Sequence, residues 1–333
     1  MKLLVTGGAG FIGSNFVRYM SDAGVGDIYV LDSLTYAASK EALESIRFPS
    51  VRVIHGSINN SKLLQELLEE VDTVVNFAAE THNDNSLETP EKFVQTNVLG
   101  TFEVLEAVRR SGKRLHHIST DEVFGDLPLG SDEMFSEDSP YRPSSPYSAS
   151  KAASDHLVRA WVKSFGIRAT ISNCSNNFGP WQHVEKFIPR QITELLAGKK
   201  PKVYGSGKHV RDWIHVDDHS SAVARVLELG VSGETYLIGA NGEKTNLEVV
   251  TTLLEIFGLP SDHIEFIRDR PGHDLRYSVD STKIKSELGW KPQNVDFNEK
   301  LNETVQWYLA NSSWWESQKQ LTEARYFAKE SAS

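Results

Sequence analysis

One cysteine, Cys174, stands alone among 333 residues. A single thiol closes no internal disulfide and builds no thiolate metal site, which excludes both of those classes. Its expected place is that of a small buried hydrophobe. Positive charge is scarce as well. Lysine and arginine number 35 against 45 aspartates and glutamates, a formal net charge of −10 with histidine neutral. No basic excess exists to neutralise a phosphate backbone, so nucleic acid is not an expected partner. A phosphorylated small molecule needs only a few local donors and stays open. No apolar run approaches the roughly 20 residues of a membrane span, so none is expected in a membrane. The opening MKLLVTGGAG lacks the apolar core of a signal peptide and is interrupted by Gly7, so a reducing, cytoplasmic setting is expected. Internal repeats and low-complexity tracts are absent.

What is present is a soluble α/β pattern. Hydrophobic residues at 39% and charged residues at 24% are ordinary for a globular protein and argue against disorder. The length predicts about two domains. Short β-branched runs, KLLVTG, DIYVLD, VRVIHG, TVVNFAA, RLHHIST and IRATISN, alternate with amphipathic stretches such as KLLQELLEE and PEKFVQTNVLGTFEVLEAVRRSG. That rhythm predicts a Rossmann-type, doubly wound parallel sheet with helices on both faces. One long helix is expected from about Pro90 to a C-cap at Ser111-Gly112. After about Ile171 turn-rich segments break the rhythm. The expected division is residues 1–172 as the dinucleotide-binding and catalytic domain. Residues 173–330 form a smaller mixed α/β substrate domain, some of whose segments return to the first. Trp314-Trp315 reads as a packing anchor of the polar tail.

Chemistry begins at GGAGFIG, where Gly7, Gly10 and Gly13 lie between strand KLLVT and an apolar helix. Glycines there let backbone approach a pyrophosphate, and the helix N-terminus supplies N–H groups and positive dipole. Asp32 ends the next strand about 20 residues on, where a carboxylate accepts the ribose hydroxyls. No arginine follows to hold a 2′-phosphate, which favours NAD over NADP.

PYSASK places Tyr147 and Lys151 four residues apart, on one face of a helix. A free phenol titrates near about 10; a neighbouring ammonium, with oxidised nicotinamide, favours its phenolate. Thr120, at the end of RLHHIST, can hydrogen-bond the same oxygen. Directly after it come Asp121 and Glu122. An acidic turn is the plain reading of such a pair, but two adjacent carboxyls at a strand end also suit acid–base work.

GGAGFIG, the Y-x-x-x-K pair and the strand-end hydroxyl resemble the extended short-chain dehydrogenase/reductase family over nearly the whole chain. STDEVFG, SNNFGP, EKFIP, VRDWIHVDDH and RPGHDLRY narrow the likeness to the dTDP-glucose 4,6-dehydratase family. The resemblance implies an NAD-dependent lyase acting on a nucleotide-diphosphate hexose, and a homodimer joined through helices of about 90–112 and 147–166. It implies Glu122 as the base for the C5 proton and Asp121 as the acid for the C6 hydroxyl, beside Thr120, Tyr147 and Lys151. For NAD it implies Gly7, Gly10, Phe11, Ile12, Gly13, Asp32, Ser33, Thr35, Ser57, Ile58, Phe77, Ala78, Ala79, Thr81 and Asn97, with Tyr147 and Lys151. For the nucleotide sugar it implies His82, Asn83, Asn85, Asn176, Lys186, Arg211, Asn246, Arg270 and His273.

Several positions depart from the family pattern. THNDNS replaces SHVDRS, putting Asn83 for valine and Asn85 for arginine; Ser57 stands for an aspartate, TYAAS for TYAGN, and Asn173 for a common arginine. An altered sugar or base preference is expected from Asn83 and Asn85. No metal is expected, because neither His82 nor His273 has a second ligand at a convincing spacing. A nucleotide-sugar epimerase or decarboxylase is the alternative on the same scaffold, against which the Asp121–Glu122 pair weighs. A silent NAD-binding scaffold is the alternative from another class, disfavoured by five reactive groups kept together.

Overall fold

The structure is a computed structural model that describes residues 1–46, 50–269 and 272–330. The six expected strands all form: β1 (Leu3–Thr6), β2 (Ile28–Asp32), β3 (Val51–His55), β4 (Thr73–Asn76), β5 (Arg114–Thr120) and β6 (Arg168–Cys174). Later in the chain come β7 (Asn176–Phe178), β8 (Lys202–Tyr204), β9 (Val210–His215), β10 (Thr235–Ile238), β11 (Glu243–Thr245) and β12 (Glu265–Ile267). The large sheet has the order β10-β6-β5-β4-β1-β2-β3, and every pairing in it is parallel. β10, from beyond residue 172, completes this sheet beside β6.

Both faces of a parallel sheet must be covered; β1, β2, β4 and β10 are buried along their whole length, while the edge strand β3 is part-exposed. Phe16, Val17 and Met20 of the helix Phe11–Asp22, with Ala222, Val223 and Val226 of the helix Val216–Leu229, bury one face. Leu64, Leu67 and Leu68, Val104, Leu105 and Val108, and Val158 bury the other, from helices Ser61–Glu70, Thr101–Ser111 and Pro146–Phe165. The smaller body has its own core of Ile188, Ile192, Trp213, Val250, Leu253 and Tyr308. It is built on the β11-β9-β7 and β12-β8 sheets.

The long helix expected from Pro90 is not uniform. It begins as a short α-turn, Pro90–Phe93, becomes a π-helix over Val94–Gly100, and resumes as α-helix over Thr101–Ser111. Gly112 ends it at φ 66°, the expected C-cap. The wide turn admits an extra residue per turn, a feature periodicity does not announce. At its end Gly100 lies against Ile58, whose Cδ1 is 2.5 Å from where a Cβ would stand. At the C-terminus Trp315 is buried and Trp314 packs on Trp181 and Trp307.

Candidate active site

Strand order reverses between β1 and β4, and a cleft opens there at the carboxyl ends of the strands. Its floor is the turn after β1. Gly7 has φ 68°, and a Cβ there would lie 2.6 Å from Ala78 N. At Gly13 a Cβ would lie 2.3 Å from the Gly7 carbonyl oxygen. Backbone thus packs on backbone, and no side chain caps the helix that starts at Phe11. Its N–H groups face the cleft free to meet an anion.

Asp32 is buried at the end of β2 and accepts hydrogen bonds from Ala9 N at 2.9 Å and Leu34 N at 2.8 Å. Burial pushes its carboxyl upward while those two N–H groups oppose the shift. Gly7, Gly10, Phe11, Ile12, Gly13, Asp32, Ser33, Thr35, Ser57, Ile58, Phe77, Ala78, Ala79 and Thr81 all line this cleft. Asn97 stands behind its wall instead. Its Oδ1 accepts from Glu80 N at 2.8 Å, and its Nδ2 donates to Glu80 O at 3.0 Å and Ser150 Oγ at 2.8 Å. Donors, glycine cradle and buried carboxylate fit a dinucleotide.

Thr120, Asp121, Glu122, Tyr147 and Lys151 line the same cleft. Where β5 ends, the Thr120 hydroxyl donates to Asp121 Oδ1 at 3.2 Å and accepts from Glu122 N at 3.3 Å, starting the tight turn Asp121–Phe124. Asp121 is 1% exposed and Glu122 half-buried. Burial, then the charges of Glu122 and Asp212, hold the Asp121 carboxyl well above its ordinary range. Tyr147 enters from the helix Pro146–Phe165, whose start Ser145 caps by accepting from Ser148 N at 3.1 Å. Burial and then the Glu122 charge keep the Tyr147 phenol protonated well above the usual phenol value, with Thr120 opposing the shift. Lys151 donates to Ile118 O at 2.7 Å. Burial lowers its proton affinity, and the Asp155 carboxylate opposes that.

Two adjacent carboxyls therefore occupy unlike surroundings, one holding its proton in the wall and one at the mouth. Such a pair divides into an acid and a base. The structure also supplies a support that sequence reasoning missed. Asp155, fully buried, accepts from Ser119 Oγ at 2.8 Å, Tyr141 OH at 2.8 Å and Asn173 Nδ2 at 3.2 Å, with His117 Nε2 3.4 Å away. Burial alone would raise it. His117, Lys151 and the hydroxyl donors outweigh burial and hold the carboxyl below its ordinary value. Asp155 is four residues after Lys151, and that helical spacing was the available signal.

Of the residues expected to hold the sugar nucleotide, Asn176 and Lys186 line the cleft, and Lys186 donates to Thr81 O at 2.8 Å. Arg211 is buried, donates to Asp274 O at 2.9 Å and lies 4.2 Å above the Tyr277 ring. Asn246 opens the helix Asn246–Ile256 and its N–H donates to His209 O at 2.9 Å. Arg270 lies outside the described residues. Asn85 donates to Tyr36 OH at 2.9 Å, Tyr36 donates to Glu185 Oε1 at 3.0 Å, and His82 Nε2 is 3.8 Å from Glu185 Oε2. Asn83 donates to Glu122 Oε2 at 2.7 Å. His273, for which no second ligand is expected from sequence, meets Asp269, four residues earlier, and His209, with candidate ligand atoms within 4.8 Å of one another. The two imidazoles stack face to face, centroids 3.7 Å apart and planes 17° apart. Asp269 reaches both rings, Oδ1 lying 2.7 Å from His273 Nδ1 and Oδ2 3.3 Å from His209 Nε2.

A parallel Rossmann sheet with a Y-x-x-x-K helix and a hydroxyl at a strand end defines an extended short-chain dehydrogenase/reductase. Within that class, the chain belongs to the GDP-mannose 4,6 dehydratase family, which matches residues 4–304. It is 56% identical to a dTDP-glucose 4,6-dehydratase of Mycolicibacterium smegmatis (strain ATCC 700084 / mc(2)155), over 98% of each chain. DesIV, a dTDP-glucose 4,6-dehydratase from Streptomyces venezuelae solved with NAD and TYD bound, aligns with a TM-score of 0.92 and 45% identity. The alignment covers 96% of this chain and 100% of that one. The Thermus thermophilus UDP-glucose 4-epimerase, solved with NAD, is more distant at a TM-score of 0.84 and 29% identity, covering 93% of this chain and 100% of that chain.

Proposed function

We propose that the chain is an NAD-dependent hydro-lyase that converts dTDP-glucose, or a related nucleotide hexose, to its 4-keto-6-deoxy sugar. The observation that carries this is the pair Asp121 and Glu122, adjacent in sequence yet unlike in burial, beside Thr120, Tyr147 and Lys151 in one cleft. NAD, when bound, supplies a reversible hydride acceptor. Gly7 to Gly13, Asp32, Ser57 and the Phe77–Thr81 wall hold it, with Asn97 bracing that wall.

The buried Tyr147 phenol would lose its proton once the positive charge of bound oxidised NAD joins that of Lys151, and the phenolate, beside Thr120, then takes the proton of the C4 hydroxyl as that carbon is oxidised. The resulting ketone acidifies C5–H. Glu122 removes that proton, and Asp121 gives its own to the departing C6 hydroxyl, releasing water. Glu122 then returns a proton to C5 as hydride is delivered to C6. Each positioned proton transfer is worth roughly 10²–10⁴ in rate. Arg211, Lys186, Asn176, Asn246, His273 and Arg270 are assigned to the nucleotide diphosphate; a guanidinium suits phosphate oxygens through paired donors.

A homodimer is part of the same reading. Val94, Leu99, Phe102 and Phe165 are exposed apolar residues on the helices of residues 94–111 and 146–165, and a second copy would cover them. The lone, unpaired thiol supports a cytoplasmic setting. Among the described residues no helix is long and apolar enough to cross a membrane.

The test follows dTDP-glucose and UDP-glucose separately by NMR in deuterated water, with purified protein and no added cofactor. A 4-keto-6-deoxy product carrying deuterium at C5 is expected. Glu122→Gln should lose C5 exchange while C4 oxidation survives; Asp121→Asn should keep oxidation and exchange but lose water elimination. A C4-epimerised product, or normal turnover by Asp121→Asn, would overturn the assignment.

A further inference from the structure

Asn83 is expected from sequence to touch the sugar, but its side chain is committed elsewhere. Its Nδ2 donates to Glu122 Oε2 at 2.7 Å, and its Oδ1 accepts from Ser145 Oγ at 2.9 Å. Ser145 caps the helix that carries Tyr147. The main chain of Asn83 is pinned as well, since Ser86 Oγ donates to its carbonyl at 2.7 Å. Among the described residues, Asn83 is the one side-chain donor to the Glu122 carboxylate.

We infer that Asn83 is a positioning residue for Glu122, a bridge that fixes the proton acceptor relative to the Tyr147 helix. This rests on the reading of Glu122 as the C5 base. A glutamate at a cleft mouth has three rotatable bonds, and an unanchored carboxylate samples many positions. A short hydrogen bond to a charged acceptor is among the stronger kind and holds it to one. The primary amide meets both demands from separate atoms, Nδ2 donating to Glu122 while Oδ1 accepts from Ser145. Valine, the residue the family pattern has here, offers neither. Aspartate keeps the acceptor and sets a second carboxylate against the first. The geometry of a reacting pair is worth large factors in rate, about 10² for a displacement of 1 Å.

The experiment compares Asn83→Val and Asn83→Asp with the parent and with Glu122→Gln, using dTDP-glucose in deuterated water. Asn83→Val is close in volume, so its melting temperature should stay near the parent's. Its kcat should fall about 10- to 100-fold with KM within about threefold. C5 deuterium incorporation should slow in step, while near-ultraviolet absorbance of the reduced cofactor builds up because C4 oxidation outruns proton removal. Asn83→Asp retains the Ser145 contact and should be slower still, so it decides the matter if the valine variant fails to fold. Parental kcat in both variants would overturn the inference. So would a rise confined to KM, or equal loss of C4 oxidation and C5 exchange, since each gives Asn83 a sugar-binding or purely architectural role. If Glu122→Gln itself still exchanges C5, the functional reading falls, and the inference with it.

Discussion

Burying a carboxyl has a pH signature, and Asp212 provides the one to measure. It is fully buried in β9, accepts from Gly242 N at 2.8 Å, and is pushed up to about 7 by burial first, with the Glu243 charge adding to it. The folded protein holds this proton where the unfolded chain, at an ordinary 3.8, has lost it. Its contribution is therefore fully present below about pH 4 and is lost as pH rises through 7. Asp212→Asn removes the titration. Relative to the parent, the variant should gain about 4 kcal/mol of stability between pH 4 and pH 8, in denaturant unfolding at the two values. An equal difference at both would contradict the assignment. Residues of this kind were half legible. Asp121 and Glu122 were readable as an adjacent pair at a strand end, and the family resemblance supplied their acid–base reading. Asp155, His117 and Asn173 were not: their contacts join positions 18 and 38 residues apart, which only the packing of the Tyr147 helix on β5 and β6 brings together. Asn83 was readable as a departure but not as a partner of Glu122, 39 residues on.

Elements carry the next level. The turn from β1 into its helix is built so tightly that substitution acts through backbone. In Gly13→Ala the new methyl would meet the Gly7 carbonyl oxygen at 2.3 Å, too close for any rotamer to relieve. The turn must open, and the N–H groups facing the cleft move with it. The variant should fold around an intact sheet yet retain at least about tenfold less dinucleotide through purification, given the roughly 2–3 kcal/mol scale of losing oriented charged hydrogen bonds. Absorbance of cofactor released on denaturation measures it; full retention would contradict the cradle. The strands and the glycine turn were legible because period-two, β-branched runs and glycine spacing are local signals. The π-helical turn over Val94–Gly100 was not: within it Asn97 reaches Glu80 and Ser150 across the wall, contacts that no local window contains.

For the whole molecule, the prediction concerns the pairing of copies. Leu99, 46% exposed beside exposed Phe102, sits on the face proposed to pair. Leu99→Glu would place charges of one sign opposite each other across the proposed symmetric contact, so sedimentation should find a monomer, against the dimer proposed for the parent. A parent that sediments as a monomer would remove that part of the proposal. Within one chain Trp314 Nε1 ties the smaller body to the larger by donating to Ser39 Oγ at 3.1 Å across 275 residues, while inside the smaller body Lys319 pairs with the buried Glu194 at 2.5 Å.

Sequence alone determined the parallel sheet and the glycine turn through local period and spacing, and marked Asp32, Thr120, Tyr147 and Lys151 as candidates, to which the family resemblance added Asp121 and Glu122. Tertiary structure decided what those residues feel. The proton held on Asp121, the carboxylate of Asp155 beneath Lys151, the Asn83 bridge to Glu122 and the return of β10 to the large sheet all depend on which distant segments exclude water from a group or donate to it. Burial and hydrogen bonding are properties of the packed molecule, and no window of the chain contains them.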